Sequence, residues 1–140
     1  MLKNIPYSAS VLAFAGLLLS TMGIYFVLLR PPLLQEDLRY MKTTVSTIHK
    51  NIPTLSDWLQ KVFWVMGGYI FTTGLLTAYV AVTSFRTRMR GAFIIATMAG
   101  FTSIGFMTTV NFIIESDFKW LLLIFTISWM AALALYLLRK

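Results

Sequence analysis

The sequence predicts an all-α membrane protein: a four-transmembrane-helix bundle with an amphipathic helix in the long first loop. Three observations carry this reading. Only 12% of the 140 residues are charged and 58% are apolar, whereas an ordinary soluble domain is about 25% charged. All 12 Lys and Arg and all 5 Asp and Glu fall outside four long uncharged stretches. None of those stretches alternates polar with apolar residues, so they read as helices and not as barrel strands, which cross a bilayer in about 10 alternating residues. Residues 1–140 therefore read as a single integral membrane domain. The tails, turns and one loop that remain are too little chain for a second folded core.

The first span is expected over Tyr7–Leu29. Lys3 followed by the apolar run Val11–Leu19 resembles the start of a signal peptide, but the apolar run continues through Ile24–Leu29, longer than a signal core, so a retained helix is expected. The second span is expected over Val62–Ser84, the third over Ala92–Ile114 and the fourth over Trp120–Leu138. At about 1.5 Å per residue, each is long enough to cross a hydrocarbon layer of about 30 Å.

Between the first two spans, Leu34, Leu38, Met41, Val45, Ile48 and Ile52 recur at spacings of four and three, which is one face of a helix. One continuous helix over residues 32–52 is expected, with Glu36, Asp37, Arg39, Lys42, His49 and Lys50 on its polar face. Pro31-Pro32 stops the first span and can form the first turn of this helix, and Pro53 ends it. The run Thr43-Thr44-Val45-Ser46-Thr47-Ile48 is rich in β-branched residues, so packing, not propensity, has to hold that helix. The apolar face is a candidate contact for a partner protein or for lipid. Thr54-Leu55-Ser56-Asp57 then has capping-box spacing, which starts the second long helix about two turns before its uncharged part.

Within a bilayer, close packing through small residues has to replace the hydrophobic effect. The third span carries Ala92, Ala96 and Gly100; the second carries Gly67-Gly68 and Gly74 to Ala78; the first carries Ala9 to Ala13 and Gly16 to Ser20. These are expected contact faces. The fourth span has few small residues before Ala131-Ala132 and is expected to be the more lipid-exposed helix. The many Thr and Ser hydroxyls of the spans are expected to bond to their own helix backbone.

Lys3, Arg86, Arg88, Arg90, Arg139 and Lys140 lie at one end of the bundle, without any acid among them. The other end carries the remaining six basic residues spread among all five acids. Dense positive charge in short segments sets topology, so Arg86, Arg88 and Arg90 are the expected cytoplasmic anchors and both termini are expected in the cytoplasm. The net charge of +7 is then explained by lipid anchoring, and no nucleic-acid partner is expected. A small, loop-poor, cysteine-free polytopic chain fits a bacterial inner membrane.

Chemistry is sparse. Without cysteine there is no thiol catalysis, disulfide exchange or thiolate metal site, and no ionisable side chain lies inside a span, where proton relays and counter-ions sit. The single histidine, His49, falls on the polar face of the loop helix. No cofactor, metal or catalytic residue is assigned. What remains is a candidate outer polar pocket of Asn111, Glu115, Asp117 and Tyr69; Asn111 and Glu115 are four apart and share a helix face. The sequence favours a non-catalytic accessory, assembly or regulatory subunit that packs on another membrane protein or on its own copies in the lipid bilayer. A transporter or carrier of an apolar or lipid-like molecule is the alternative, and an enzyme acting on lipid or quinone at the rim a second.

Overall fold

A computed structural model of the protein describes residues 6–138; Lys3, Arg139 and Lys140 lie outside the described residues. The elements are α1 (Tyr7–Leu28), α2 (Gln35–Met41), α3 (Val45–Asn51), α4 (Leu55–Val80), α5 (Arg90–Gly100), α6 (Phe106–Ile113) and α7 (Lys119–Leu138), and no strand occurs among the described residues. A π-helical turn, Ala81–Phe85, prolongs α4, and a second, Phe101–Gly105, joins α5 to α6 without a break. Four helical stretches, Tyr7–Leu28, Leu55–Phe85, Arg90–Ile113 and Lys119–Leu138, are long and apolar enough to cross a membrane. The second begins at Leu55, about two turns ahead of the uncharged residues, although Thr54 makes no side-chain cap bond.

The continuous loop helix expected over residues 32–52 is instead two seven-residue helices. Lys42 adopts a left-handed conformation (φ 53°) that closes α2, and Thr44 is extended and caps α3, its hydroxyl accepting from the Thr47 amide at 3.3 Å. A β-branched run offers poor helix propensity and a good N-cap at the same place, so the chain breaks there. Pro31 and Pro32 do not open the helix: Leu34 is its N-cap residue, with its amide held by the Asp37 carboxylate at 2.9 Å. The break splits the apolar stripe. Leu38 and Ile48 are buried and Leu34 is half-buried, but Met41, Val45 and Ile52 stand exposed.

The long helices form a bundle in which α1 packs antiparallel against α4 on one side and against α7 on the other. Glycines set the first contact. A Cβ on Gly74 would lie 2.5 Å from the Gly16 carbonyl oxygen, and one on Gly67 would lie 2.8 Å from that of Gly23. Backbone therefore meets backbone at two levels, and between them Ser20 Oγ donates to the Phe71 carbonyl at 3.3 Å. Gly68, next in sequence, faces open space.

The small-residue ridge Ala92-Ala96-Gly100 is buried and receives Trp129 of α7. The indole lies against Gly100 and its Nε1 donates to the Ala96 carbonyl at 2.9 Å. With this seat α7 is not the more exposed helix expected of the fourth span: its buried share is slightly above those of Leu55–Phe85 and Arg90–Ile113. A bulky ring set into a glycine notch supplies the contact that its Leu-rich first half does not suggest.

Most span hydroxyls bond back to their own helices, as Thr73, Thr97 and Thr109 do. Thr108 differs. Buried, it bonds across to Thr126 Oγ1 at 2.7 Å and donates to the Leu122 carbonyl. At the basic end the turn carrying Arg86, Arg88 and Arg90 is tied to α7: Arg88 donates to the Tyr136 carbonyl at 3.0 Å and its guanidinium sits 4.7 Å over that ring. A cation on the last carbonyls of α7 also offsets the negative end of the helix dipole.

Candidate functional site

At the other end, where residues 29–54 and 114–118 connect the helices, the bundle is not filled. A cavity of about 710 Å³ lies among α1, α4, α6 and α7 beneath residues 30–37. Its origin is in the third helical stretch. Near the basic end α4 packs on α5, but beyond the Phe101–Gly105 π-turn α6 packs on α7 and makes no comparable contact with α4. A π-turn inserts one residue per turn and redirects the helix beyond it; Thr102 and Ser103 of this turn line the cavity. The space opens sideways between α4 and α6, where Tyr69 and Val110 are exposed at its edge.

The walls are aliphatic, aromatic and thioether side chains, among them Met22, Phe26, Met66, Ile70, Met107 and Phe125. The roof is charged. Arg30 Nη2 pairs with Asp37 Oδ2 at 3.3 Å, and its guanidinium stacks 3.6 Å from the Phe63 ring centroid and 5.3 Å from that of Phe26. Cation–π contact of this kind favours arginine, whose plane can stack while its edge pairs. Glu36, only 4% exposed, accepts from Ser116 Oγ at 3.0 Å, and that same hydroxyl accepts from the Phe118 amide at 3.1 Å. Adjacent helical residues point about 100° apart. Asp37 can thus cap α2 and hold Arg30 while Glu36 turns under the helix toward Ser116.

Of the four residues read from the sequence as an outer polar pocket, the structure brings Asn111 and Tyr69 to the cavity wall; Glu115 and Asp117 do not line it. Asn111 Nδ2 returns to the Met107 carbonyl of its own helix at 2.8 Å. Glu115 is left-handed (φ 54°) and exposed, because it reverses the chain after α6. Asp117, also exposed, pairs with Arg39 at 3.1 Å, and Arg39 donates to the Glu115 carbonyl as well. Among the candidate face residues, Leu34 alone lines the cavity. Arg86, Arg88 and Arg90 lie at the far end.

Sequence reasoning missed Arg30, Glu36, Asp37 and Ser116 as a group. A single continuous helix would keep Glu36 and Asp37 on a solvent-facing surface; the division into α2 and α3 removes that constraint. The signal is present in another form: Arg30–Tyr40 and Ser116–Trp120 each cluster charged residues, and hydrogen bonds linking Glu36 and Arg39 to residues 115–117 join the two. No group of metal-binding side chains occurs among the described residues.

The two side-chain pairs that tie α2 to the α6–α7 turn, Arg39–Asp117 and Glu36–Ser116, differ in exposure and so in energy. Arg39 and Asp117 are 55% and 67% exposed, and a double-mutant cycle on Arg39→Ala and Asp117→Ala is expected to give a coupling of about 0.2–1 kcal/mol that fades in salt. Ser116→Ala is expected to cost more, about 1–3 kcal/mol, because it strips a buried carboxylate of its donor. Thermal melting in detergent measures both; equal costs would mean that burial does not separate them.

No family model, curated protein or solved structure matches the chain.

Proposed function

We propose that this chain is a non-catalytic integral membrane protein that binds or carries an apolar or lipid-like molecule in the cavity between α4 and α6. The single observation that carries the reading is a side-opening space of about 710 Å³ with apolar walls and a charged roof. That volume is within the range of about 300–1,000 Å³ of small-molecule sites. Its lateral mouth suits entry from the hydrocarbon layer better than entry from water.

The test is copurification. Protein extracted in mild detergent is expected to retain one amphiphile in near-equimolar amount by mass spectrometry, and Val110→Trp, which puts a large ring at the mouth, is expected to lower that retention several-fold. Purified chain carrying no molecule enriched over the bulk lipid would overturn the proposal.

A second reading is supported by the loop. Met41, Val45 and Ile52 are exposed apolar side chains beyond the apolar stretches, and they fit a contact with another membrane protein or a second copy, the role of an accessory, assembly or regulatory subunit. Crosslinking from these positions in native membrane separates the readings, since a stoichiometric protein adduct supports the subunit and its absence counts against it.

For the setting we propose a bacterial inner membrane with the Arg86–Arg90 turn in the cytoplasm, on the density of positive charge there. The absence of native cysteine makes the topology test clean. Ser46→Cys is expected to react with an impermeant maleimide in intact cells and Thr87→Cys only after lysis. The reverse pattern would invert the orientation.

A further inference from the structure

We infer that the cavity recognises an amphiphile whose head is a primary ammonium, seated on Glu36, with its alkyl chain lying between α4 and α6. The inference rests on the ligand-binding reading and adds the chemistry of the head. Its basis is charge, together with the polar atoms left over at the roof.

Three charged side chains line the cavity: Arg30, Glu36 and Asp37. The Arg30 charge is matched by Asp37, with Nη2 on that carboxylate, Nη1 on the Pro31 carbonyl at 3.1 Å and its face on Phe63. Asp37 is doubly used, since Oδ2 also takes the Leu34 amide. Glu36 is then the carboxylate in excess. Only 4% of it is exposed, and its Oε1 holds only the Ser116 hydroxyl. No buried side-chain oxygen is left sealed without a partner among the described residues, so Oε2, which takes no bond, has access to open space, and Glu36 lines the cavity.

The neutral groups point the same way. Thr73, Thr102 and Ser103 spend their hydroxyl protons on their own helix backbones, and Asn111 gives one of its two amide N–H donors to the Met107 carbonyl. The three hydroxyls are left to accept, and Asn111 keeps its carbonyl oxygen and one N–H. A carboxylate or phosphate head placed here would meet Glu36 with no uncommitted cation to balance it. An ammonium brings up to three donors to Glu36, and a charge-assisted bond to a half-satisfied buried carboxylate is among the stronger polar contacts a protein makes. Below the head, the Met and Phe walls accept a flexible chain.

The inference is tested with full-length protein in phosphatidylcholine nanodiscs and two photoreactive probes of equal chain length, a diazirine-tailed alkylamine and the matching carboxylate. The amine is expected to label peptides of α4 and α6 at least about tenfold more than the carboxylate, and Glu36→Gln is expected to erase most of that preference. Equal labelling by both probes, or a preference that survives in folded Glu36→Gln protein, overturns the ammonium assignment while leaving the cavity reading intact. Labelling of the cavity by neither probe overturns both. The wild-type comparison needs no variant, so a poorly folding Glu36→Gln chain does not remove the test. Adding phosphatidylethanolamine to the discs identifies the source: suppression of amine labelling assigns the site to an aminophospholipid, and unchanged labelling assigns it to a free lipophilic amine.

Discussion

Gly74→Leu is expected to prevent α1 and α4 from docking, read as loss of the monodisperse species on size exclusion in detergent. The reason is geometric. A Cβ at Gly74 would sit 2.5 Å from both the Gly16 oxygen and the Ser20 nitrogen, and backbone atoms cannot rotate away as a side chain can. Overpacking in a core costs about 1–3 kcal/mol where side chains can shift; here the helices must separate along their length, so a cost above about 3 kcal/mol is expected. Gly68→Leu supplies the control. It adds the same side chain to the same helix where nothing lies within 4 Å, so it should leave the elution profile unchanged and hold stability within about 1 kcal/mol of the parent. Equal behaviour of the two variants would mean that α1 and α4 do not meet through glycine.

Trp129→Ala is expected to be the most damaging change in α7. The indole is 2% exposed and fills the notch over Gly100, and removing a buried aromatic of this size costs about 3–5 kcal/mol. Trp129→Phe keeps most of the volume and gives up the Nε1 bond to the Ala96 carbonyl. It should cost about 0.6–2 kcal/mol, the range for one interhelical hydrogen bond in an apolar surround. Denaturant titration of the purified protein followed by tryptophan fluorescence from Trp58, Trp64 and Trp120 measures both. A Phe variant as unstable as the Ala variant would mean that the bond, and not the filling, holds the helix.

The long helices were legible because their signal is local: uncharged runs of the right length bounded by charge, Pro or turn residues. The Ala92-Ala96-Gly100 ridge was legible too, but its occupant was not, since nothing around Trp129 distinguishes an indole that enters a notch from one that faces outward. The loop failed for a related reason. Its apolar spacing across Met41 and Val45 continues without interruption, while the left-handed turn at Lys42 and the cap at Thr44 are decided by competition between propensity and packing. Once that helix breaks, α2 is no longer bound to share one face with α3, and Glu36 forms part of the roof of the cavity. The cavity is the least legible feature, because it depends on where α6 goes after a π-turn that no residue in Phe101-Thr102-Ser103-Ile104-Gly105 announces.

The glycines of α1 and α4 leave one ambiguity that the rest of the chain must remove. Gly16 and Gly23 are seven apart, as are Gly67 and Gly74, and they meet crosswise. Sliding one helix by a full heptad would still set one glycine against another, so the smooth contact holds the two rods together without fixing their register. The decision falls to the end of the pair, where Phe63 of α4 meets the edge of Phe26 at 6.0 Å between centroids and lies under the Arg30 guanidinium. The clasp that indexes the two helices is thus also the roof of the cavity, and any molecule that pulled on Arg30 would be felt as a loosening of their alignment.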